Sequence, residues 1–291
     1  MMRIAQISDF HFTHITWNPF RLCSKRLLGN LNWLVTRNSV FSHKQLDPLP
    51  GLFRELKVDL VLLGGDFTTT ALTEEFQLAS QFVSKLSQDW IAIPGNHDHY
   101  TYRSWRNKHF YRYFSNKREP VSHPVNFFTL KNHGVEVHRI SPGWWVLALD
   151  TARATNLYSS QGLLSKKLEE YVMEILDLLP PEDAVICFNH YPFFQQDEPR
   201  RNLVRGEALQ EILQKSPQIR LYLHGHTHRH AIADLQPNQL PILADSGCCV
   251  QGNEGTWNLI DLLPDHCEIT AFRWNKQWEP FRNEKIEWQR K

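Results

Sequence analysis

Asp9-Phe-His11, Gly65-Asp66, Gly95-Asn96-His97-Asp98, His190 and Gly225-His226-Thr-His228 occur in that order, each just after a run that reads as a β-strand. Together they hold three carboxylates, one amide oxygen and five imidazoles. That inventory suits a two-metal hydrolytic centre, in which cations about 3.5–4 Å apart clamp a phosphoryl group and activate a water. Asp9 and His11 alternate on a strand exit, which predicts that both side chains point to one side. A carboxylate beside an imidazole suits Mn²⁺, with Fe or Zn²⁺ as other fits. Asp66 follows two glycines, which let the backbone turn tightly and bring a carboxylate close. A carboxylate is the natural bridge between two cations. Asn96 offers a neutral carbonyl oxygen, and His190, His226 and His228 offer nitrogen. Any one of these alone is commonplace, because a lone histidine is usually a satisfied polar side chain. Five in order, each at a strand end, point to a site.

The strands that must carry them are short apolar runs at 3–8, 59–63, 90–93, 184–189 and 220–223. Each delivers a polar residue at its carboxyl end, the edge at which open α/β sheets bind ligands. Helical spacing of apolar residues at 50–57, 73–86, 165–178 and 206–214 fills the intervals, with Thr73 as the expected N-cap of the second. Strand–helix alternation predicts an α/β architecture with right-handed crossovers. The last third changes character. Segments 240–243, 257–263 and 268–274 read as strands with short turns, which predicts an antiparallel continuation or a second sheet packed on the first. No linker, repeat or low-complexity tract divides the chain, so one domain over 1–291 is expected, with insertions near 17–45 and 99–131.

Apolar residues make up 42% of the 291, ordinary for a globule and too rich for disorder. A net charge of +1 says little about partners. The five cysteines lack metal-site spacing, and Met1-Met2-Arg3 leads straight into the first strand. Free thiols and a reducing cytoplasm are expected, with Cys248-Cys249 as two small buried residues. No apolar run approaches the roughly 20 residues that span a bilayer.

The five motifs resemble the signature of the calcineurin-like metallophosphoesterase superfamily: D-x-H, G-D, G-N-H-[DE], H and G-H-x-H. The resemblance covers residues 9 to 228, and no motif residue is missing. It implies a four-layer α/β/β/α sandwich. It also implies that Asp9, His11 and His228 bind one metal, that Asn96, His190 and His226 bind the other, and that Asp66 bridges. His97 is then not a ligand but faces the scissile phosphate, oriented by Asp98. The alternative of another class is a non-catalytic scaffold of the same fold, which would be expected to lose ligands or the histidine.

The insertions bear on substrate. Segment 17–38 places Phe20, Leu27, Leu28, Leu31, Leu34 and Val35 on one face with Trp33 beside it, and Arg21, Lys25, Arg26 and Arg37 around the rest. A basic amphipathic helix of this kind lies in a membrane interface or packs on the sandwich. Segment 99–131 mixes seven Tyr, Trp and Phe residues between Tyr100 and Phe114 with cations, fit for lining a pocket or for a small capping core. Arg200, Arg201 and Arg205 are candidate substrate contacts, since guanidinium forks suit phosphate. Lys25-Arg26-Leu-Leu-Gly29-Asn30-Leu-Asn32-Trp33, with that arginine run, is similar to the calcineurin-like UDP-2,3-diacylglucosamine pyrophosphatases of lipid A synthesis. The similarity implies a nucleotide-linked lipid substrate cut to UMP and 2,3-diacylglucosamine 1-phosphate, and a protein on the cytoplasmic face of a membrane, with no nucleic acid as partner. Cyclic-nucleotide, nucleic-acid and phosphoprotein hydrolysis are the alternatives.

Overall fold

In a computed structural model of the chain, which describes residues 1–16, 25–27, 41–116, 124–195 and 198–289, the apolar runs become strands covered on both faces. The first half runs β1 (Met2–Ile7), α1 (Leu49–Glu55), β2 (Leu60–Leu63), α2 (Thr73–Val83), β3 (Asp89–Ala92), α3 (Tyr102–Arg106), α4 (Leu130–His133), β4 (Val135–Ser141) and β5 (Trp144–Leu149). Then come β6 (Gly162–Leu163), α5 (Lys166–Leu178), β7 (Ala184–Phe188), β8 (Leu203–Val204), α6 (Gly206–Lys215) and β9 (Ile219–His224). The chain finishes with β10 (His230–Ala233), β11 (Ile242–Ser246), β12 (Thr256–Leu262), β13 (His266–Asn275) and β14 (Gln277–Glu287).

Two six-stranded sheets result, ordered β14-β13-β12-β1-β2-β3 and β10-β11-β9-β7-β5-β4. Side chains of a strand alternate between faces, and these strands are apolar on both. Val61 and Leu63 of β2 pack with Leu49 and Phe53 of α1 and with Phe76, Ala79 and Phe82 of α2. Leu60 and Leu62 point the other way, into a core shared with Ile186 and Phe188 of β7 and Leu221 and Leu223 of β9. Val185 and Cys187 of β7 face Leu168, Val172, Ile175 and Leu176 of α5 and Leu209, Ile212 and Leu213 of α6. The layers are therefore helices, sheet, sheet, helices: the four-layer α/β/β/α sandwich. Each fully buried Leu, Ile or Phe in these three cores is worth about 1.5–3 kcal/mol.

The parallel pairings β1–β2, β2–β3, β5–β7 and β7–β9 set the carboxyl ends of the motif strands side by side. β12 to β14 extend the first sheet antiparallel from β1, as expected for the last third. Segment 240–243 takes the other expected place, in the second sheet, where β11 pairs antiparallel with β10 but parallel with β9. Thr73 is not the N-cap of α2. Leu72 holds that place in extended backbone, and the donors at the helix start are met by Glu75 instead. Among the described residues no helix is long and apolar enough to cross a membrane.

The aromatic insertion is mostly core. Phe110 and Phe114 are buried against Phe67, the residue after Asp66, Phe114 stacked at 4.2 Å and Phe110 tilted at 5.7 Å. Of the 17–38 segment only 25–27 is described, so the amphipathic face lies largely outside the described residues. Two of its four cations can be placed, and both are hydrogen-bonded within the protein. Lys25 reaches Thr155 and Ser159, and Arg26 donates to the carbonyls of Thr70 and Ala71 at 3.0 Å each.

Glu75 ties the second motif loop to α2. Its buried carboxylate accepts from the backbone N–H of Thr70 (2.8 Å), Leu72 (3.0 Å) and His14 (3.2 Å). Glu75→Ala leaves those buried donors unmet, each costing about 1–3 kcal/mol when truly orphaned. The expected loss is about 2–4 kcal/mol, measured as a lower urea midpoint at unchanged m-value.

Candidate metal centre

Hydrogen-bonded contact between β1 and β2 continues past the ends of both strands. Asp9 N–H donates to Gly65 O (3.0 Å), His11 N–H to Asp66 O (2.9 Å) and Phe12 N–H to Phe67 O (2.8 Å). The side chains converge for a reason the sequence reading did not give. Asp9 and His11 do not alternate as in a strand, because both take left-handed backbone (φ 60° and 45°). Asp66 (54°), His226 (68°) and His228 (57°) do the same. Non-glycine residues in this region carry strain, and it clusters where the surroundings fix a functional geometry. Two glycines make room. A Cβ on Gly95 would overlap the Asp66 carboxylate, and one on Gly225 would overlap Ser8 Oγ.

Asp9, His11 and His228 come together. His228 Nε2 lies 3.1 Å from Asp9 Oδ1 and 3.1 Å from His11 Nε2. Asp9 is held on its other oxygen by Ser8 Oγ (2.5 Å) and His226 N–H (3.1 Å). Asp66, His190 and His226 form a second group, with ligand atoms all within 4.8 Å of one another. Asp66 also belongs with His11 and His97 in a group of the same tightness, so its carboxylate stands between the two clusters. Asn96 lines the same cavity as Asp66, His97, His226 and His228. Cys248, counted in the sequence only as a small buried residue, lies within the same 4.8 Å of His11 and His228 and bonds to Asp9 O (3.2 Å).

The tautomers are set by backbone acceptors. His190 Nδ1 lies 2.7 Å from Gly64 O, and His226 Nε2 lies 3.0 Å from Arg201 O. A ring nitrogen that close to a carbonyl must carry the hydrogen. The lone pairs of His190 Nε2 and His226 Nδ1 then face each other across 3.2 Å. Two lone pairs at that distance need a positive charge between them. Among the described residues Asn96 Oδ1 is buried without a hydrogen-bond partner, and Asp9 Oδ1 has none of good geometry although His228 Nε2 lies 3.1 Å away. Orphaned oxygens beside opposed imidazole lone pairs fit divalent cations.

The electrostatics agree. Burial disfavours a charged His190, but Asp66 and then Asp9 outweigh it and lift the pKa to about 9. Burial raises Asp66 too, yet His190 and His97 hold it well below the usual carboxylate range. Asp9 is likewise lowered despite burial, chiefly by His228. His226 falls to about 3 because it is buried beside His190. One imidazolium thus takes the positive charge that the carboxylates demand, the part a bound cation plays.

His97 stands at the edge of these clusters. Its N–H donates to Asp66 Oδ1 (2.7 Å), and its ring stacks on Tyr100 at 5.5 Å. The expected orientation by Asp98 does not hold. Asp98 accepts from Gly95 N–H (2.9 Å), Thr68 N–H (3.0 Å), Phe67 N–H (3.2 Å) and Thr68 Oγ1 (3.0 Å), so it locks the third motif loop onto the second. Thr69 O, 2.6 Å from His97 Nδ1, fixes the ring instead and directs proton exchange to Nε2. Four strong donors on the carboxylate leave Asp98 nothing for the imidazole.

A cavity of about 440 Å³ opens on the centre. Arg200 and Arg201 line it, 60% and 52% exposed at the side chain and both paired to Glu198. Arg205 does not line it; its guanidinium pairs with Glu169 of α5. The sequence reading missed Leu157, Tyr158, Ser159 and Ser160, which come from the β5–β6 loop that carries no motif, and Lys25; Tyr100 lines the cavity as the reading of the aromatic insertion allowed. The composition of Lys25's surroundings, not its spacing, is the signal, and only folding assembles it.

Residues 2–230 match the family model described as calcineurin-like phosphoesterase. No curated protein matches the sequence. Among solved structures, a dimetal phosphatase from Danio rerio is similar over 99% of each chain at 13% identity, with a TM-score of 0.70. Purple acid phosphatase PPD1 from yellow lupin (Lupinus luteus) seeds is similar over 98% of this chain and 53% of that one, at 11% identity and a TM-score of 0.58. Likeness at such identities shows a shared fold.

Because Asp66 stands between both clusters, Asp66→Ala is expected to remove most bound metal and the activity, with elemental analysis falling from near two metals per chain. His97→Ala is expected to lower turnover by about 10²–10⁴, the usual effect of losing a general acid or an oxyanion donor, with metal content near wild type. Loss of metal with the His97 ring would make it a ligand.

Proposed function

This chain belongs to the calcineurin-like phosphoesterase family and is a metal-dependent phosphoester hydrolase, and from that premise we propose that it cleaves the diphosphate of UDP-2,3-diacylglucosamine. Asp9, His11 and His228 would hold one divalent cation, Asn96, His190 and His226 the other, and Asp66 both, with Mn²⁺ proposed for each. When bound, the pair supplies Lewis-acid charge and a water nucleophile at neutral pH. The chain's own residues do the rest. The cavity receives the phosphoryl group above the ligand cluster. His97, its Nδ1–H donated to Thr69 O, presents Nε2 to a phosphoryl or leaving-group oxygen and, when the ring carries both protons, can give that oxygen one. Gly64 O and Arg201 O hold the His190 and His226 rings in the tautomers that leave one lone pair each for metal.

The observation that carries the substrate reading is the mixed character of the cavity. Lys25, Arg200 and Arg201 give it a cationic rim, while Leu157 (50% exposed) and Tyr158 (75% exposed) stand apolar at its mouth. An anionic diphosphate joined to acyl chains matches both. The similarity of segment 25–33 to the lipid A pyrophosphatases supports the same reading. A lipid substrate also places the protein on the inner face of a membrane, with segment 17–38 as the contact.

The test compares UDP-2,3-diacylglucosamine with its deacylated analogue, cyclic nucleotides and bis-p-nitrophenyl phosphate on the metal-loaded enzyme. Each buried methylene is worth about 0.8 kcal/mol, so acyl chains should raise kcat/KM by well over about tenfold. Equal rates with and without chains, or faster cleavage of cyclic nucleotides, would sink the lipid reading. Flotation with anionic liposomes, weakened by salt, is expected for the membrane contact, since each cation near such a surface is worth about 1 kcal/mol.

A further inference from the structure

Three cations line the cavity outside the metal motifs, and one of them, Lys25, has no carboxylate partner among the described residues. Lys25 Nζ donates to Ser159 O (2.9 Å) and Thr155 Oγ1 (3.1 Å), and lies over the Tyr100 ring, 4.8 Å from its centre. Tyr100 stacks on His97 at 5.5 Å with the rings 14° apart. One aromatic ring therefore touches both the ammonium and the histidine that faces the reacting phosphoryl group. The loop below is braced for this: Thr155 Oγ1 also donates to Ser159 O, and Ser159 Oγ donates to Arg200 O (3.3 Å).

No carboxylate among the described residues reaches Lys25. Its two bonds go to neutral oxygens, and an ammonium has three donors. A partly buried charge without a counter-charge is costly. Burial alone brings its pKa down from the usual 10.5 to about 8. Elsewhere in this cavity the cations have partners, since Arg200 and Arg201 both pair with Glu198. An unpaired ammonium on the wall of a phosphoester site is placed for an anion that comes with the substrate.

We propose that Lys25 determines specificity by binding the phosphoryl group next to the one attacked, so that diphosphate diesters are selected over single phosphodiesters. This rests on the reading that the substrate holds a diphosphate. The metal ligands take the scissile group and His97 its oxygen. Lys25, against the Tyr100 ring that His97 also stacks on, takes the neighbouring charge and gains a counter-ion that no described residue supplies. Segment 25–27 is thereby part of the substrate site, and its basic character serves recognition inside the cavity.

The experiment compares Lys25→Gln with wild type, both metal-loaded, on a diphosphate diester and on bis-p-nitrophenyl phosphate. Gln keeps a donor for Thr155 and Ser159 without the charge. The ratio of kcat/KM for the diphosphate diester to that for bis-p-nitrophenyl phosphate is expected to fall at least about tenfold, mostly through KM, and Lys25→Arg should restore most of it. An unchanged ratio, or losses alike on both substrates and not rescued by Arg, would overturn the proposal. If wild type cleaves no diphosphate diester, the substrate reading fails by itself. UDP-glucose is then used as a competitive inhibitor of bis-p-nitrophenyl phosphate hydrolysis. A Ki at least about tenfold higher in Lys25→Gln supports the role of Lys25, and an equal Ki rejects it.

Discussion

The whole site turns on opposed charges and lone pairs that the fold holds closer than they would stay alone. His190 Nε2 faces His226 Nδ1 at 3.2 Å, and His11 Nε2 faces His228 Nε2 at 3.1 Å. Asp9 and Asp66 are buried among them. Such an arrangement is stable only with positive charge inside it. Protonation of His190 is one answer, and divalent cations are the answer that the donor set suits. The left-handed backbone at five of the seven candidate ligands belongs to the same account. Each such residue costs of order 1–3 kcal/mol, which the packed sheets beneath must offset.

Those sheets can bear it because they are buried on both faces. The strands β1, β2, β7 and β9 each present one set of side chains to a helical layer and the other to the shared core. Such strands leave little freedom of register, since a one-residue slip would exchange their inner and outer sets. Their carboxyl ends are thus fixed to within a hydrogen bond, and short loops of glycine, carboxylate and histidine can be hung from them. Asp98 and Glu75 add a second layer of control. Neither lines the cavity; each collects backbone donors from neighbouring loops and ties them together.

The other half of the cavity follows a different rule. Arg200, Arg201, Lys25 and the 157–160 loop line it, and they differ in how they are held. The arginines are exposed and paired to Glu198. Lys25 is drawn in against Tyr100 and neutral oxygens. A family's chemistry sits on the sheet edges while its choice of substrate sits on such loops, because loops tolerate change that strands do not.

Much of this was legible before folding. Apolar runs a few residues long placed β1, β2, β3, β7 and β9, and helical spacing placed α1, α2, α5 and α6, because burial on a fixed period leaves its mark on composition. The seven candidate ligands were readable because each follows such a run. What sequence could not supply was anything set by contact between distant segments. β4 and β14 carry weaker patterns at sheet edges, whereas the apolar run that becomes β5 was of strand length. Asp98 looked like the partner of its neighbour His97, yet its oxygens are claimed by Gly95, Phe67 and Thr68. Arg205 looked like part of a substrate cluster, yet it turns to Glu169. Lys25 looked like a surface cation, yet it lies in the cavity. Residue type and spacing determined which chemistry this chain can carry; which donor meets which acceptor was decided by tertiary structure, because a hydrogen bond or an ion pair goes to the nearest group in space and not to the nearest in sequence.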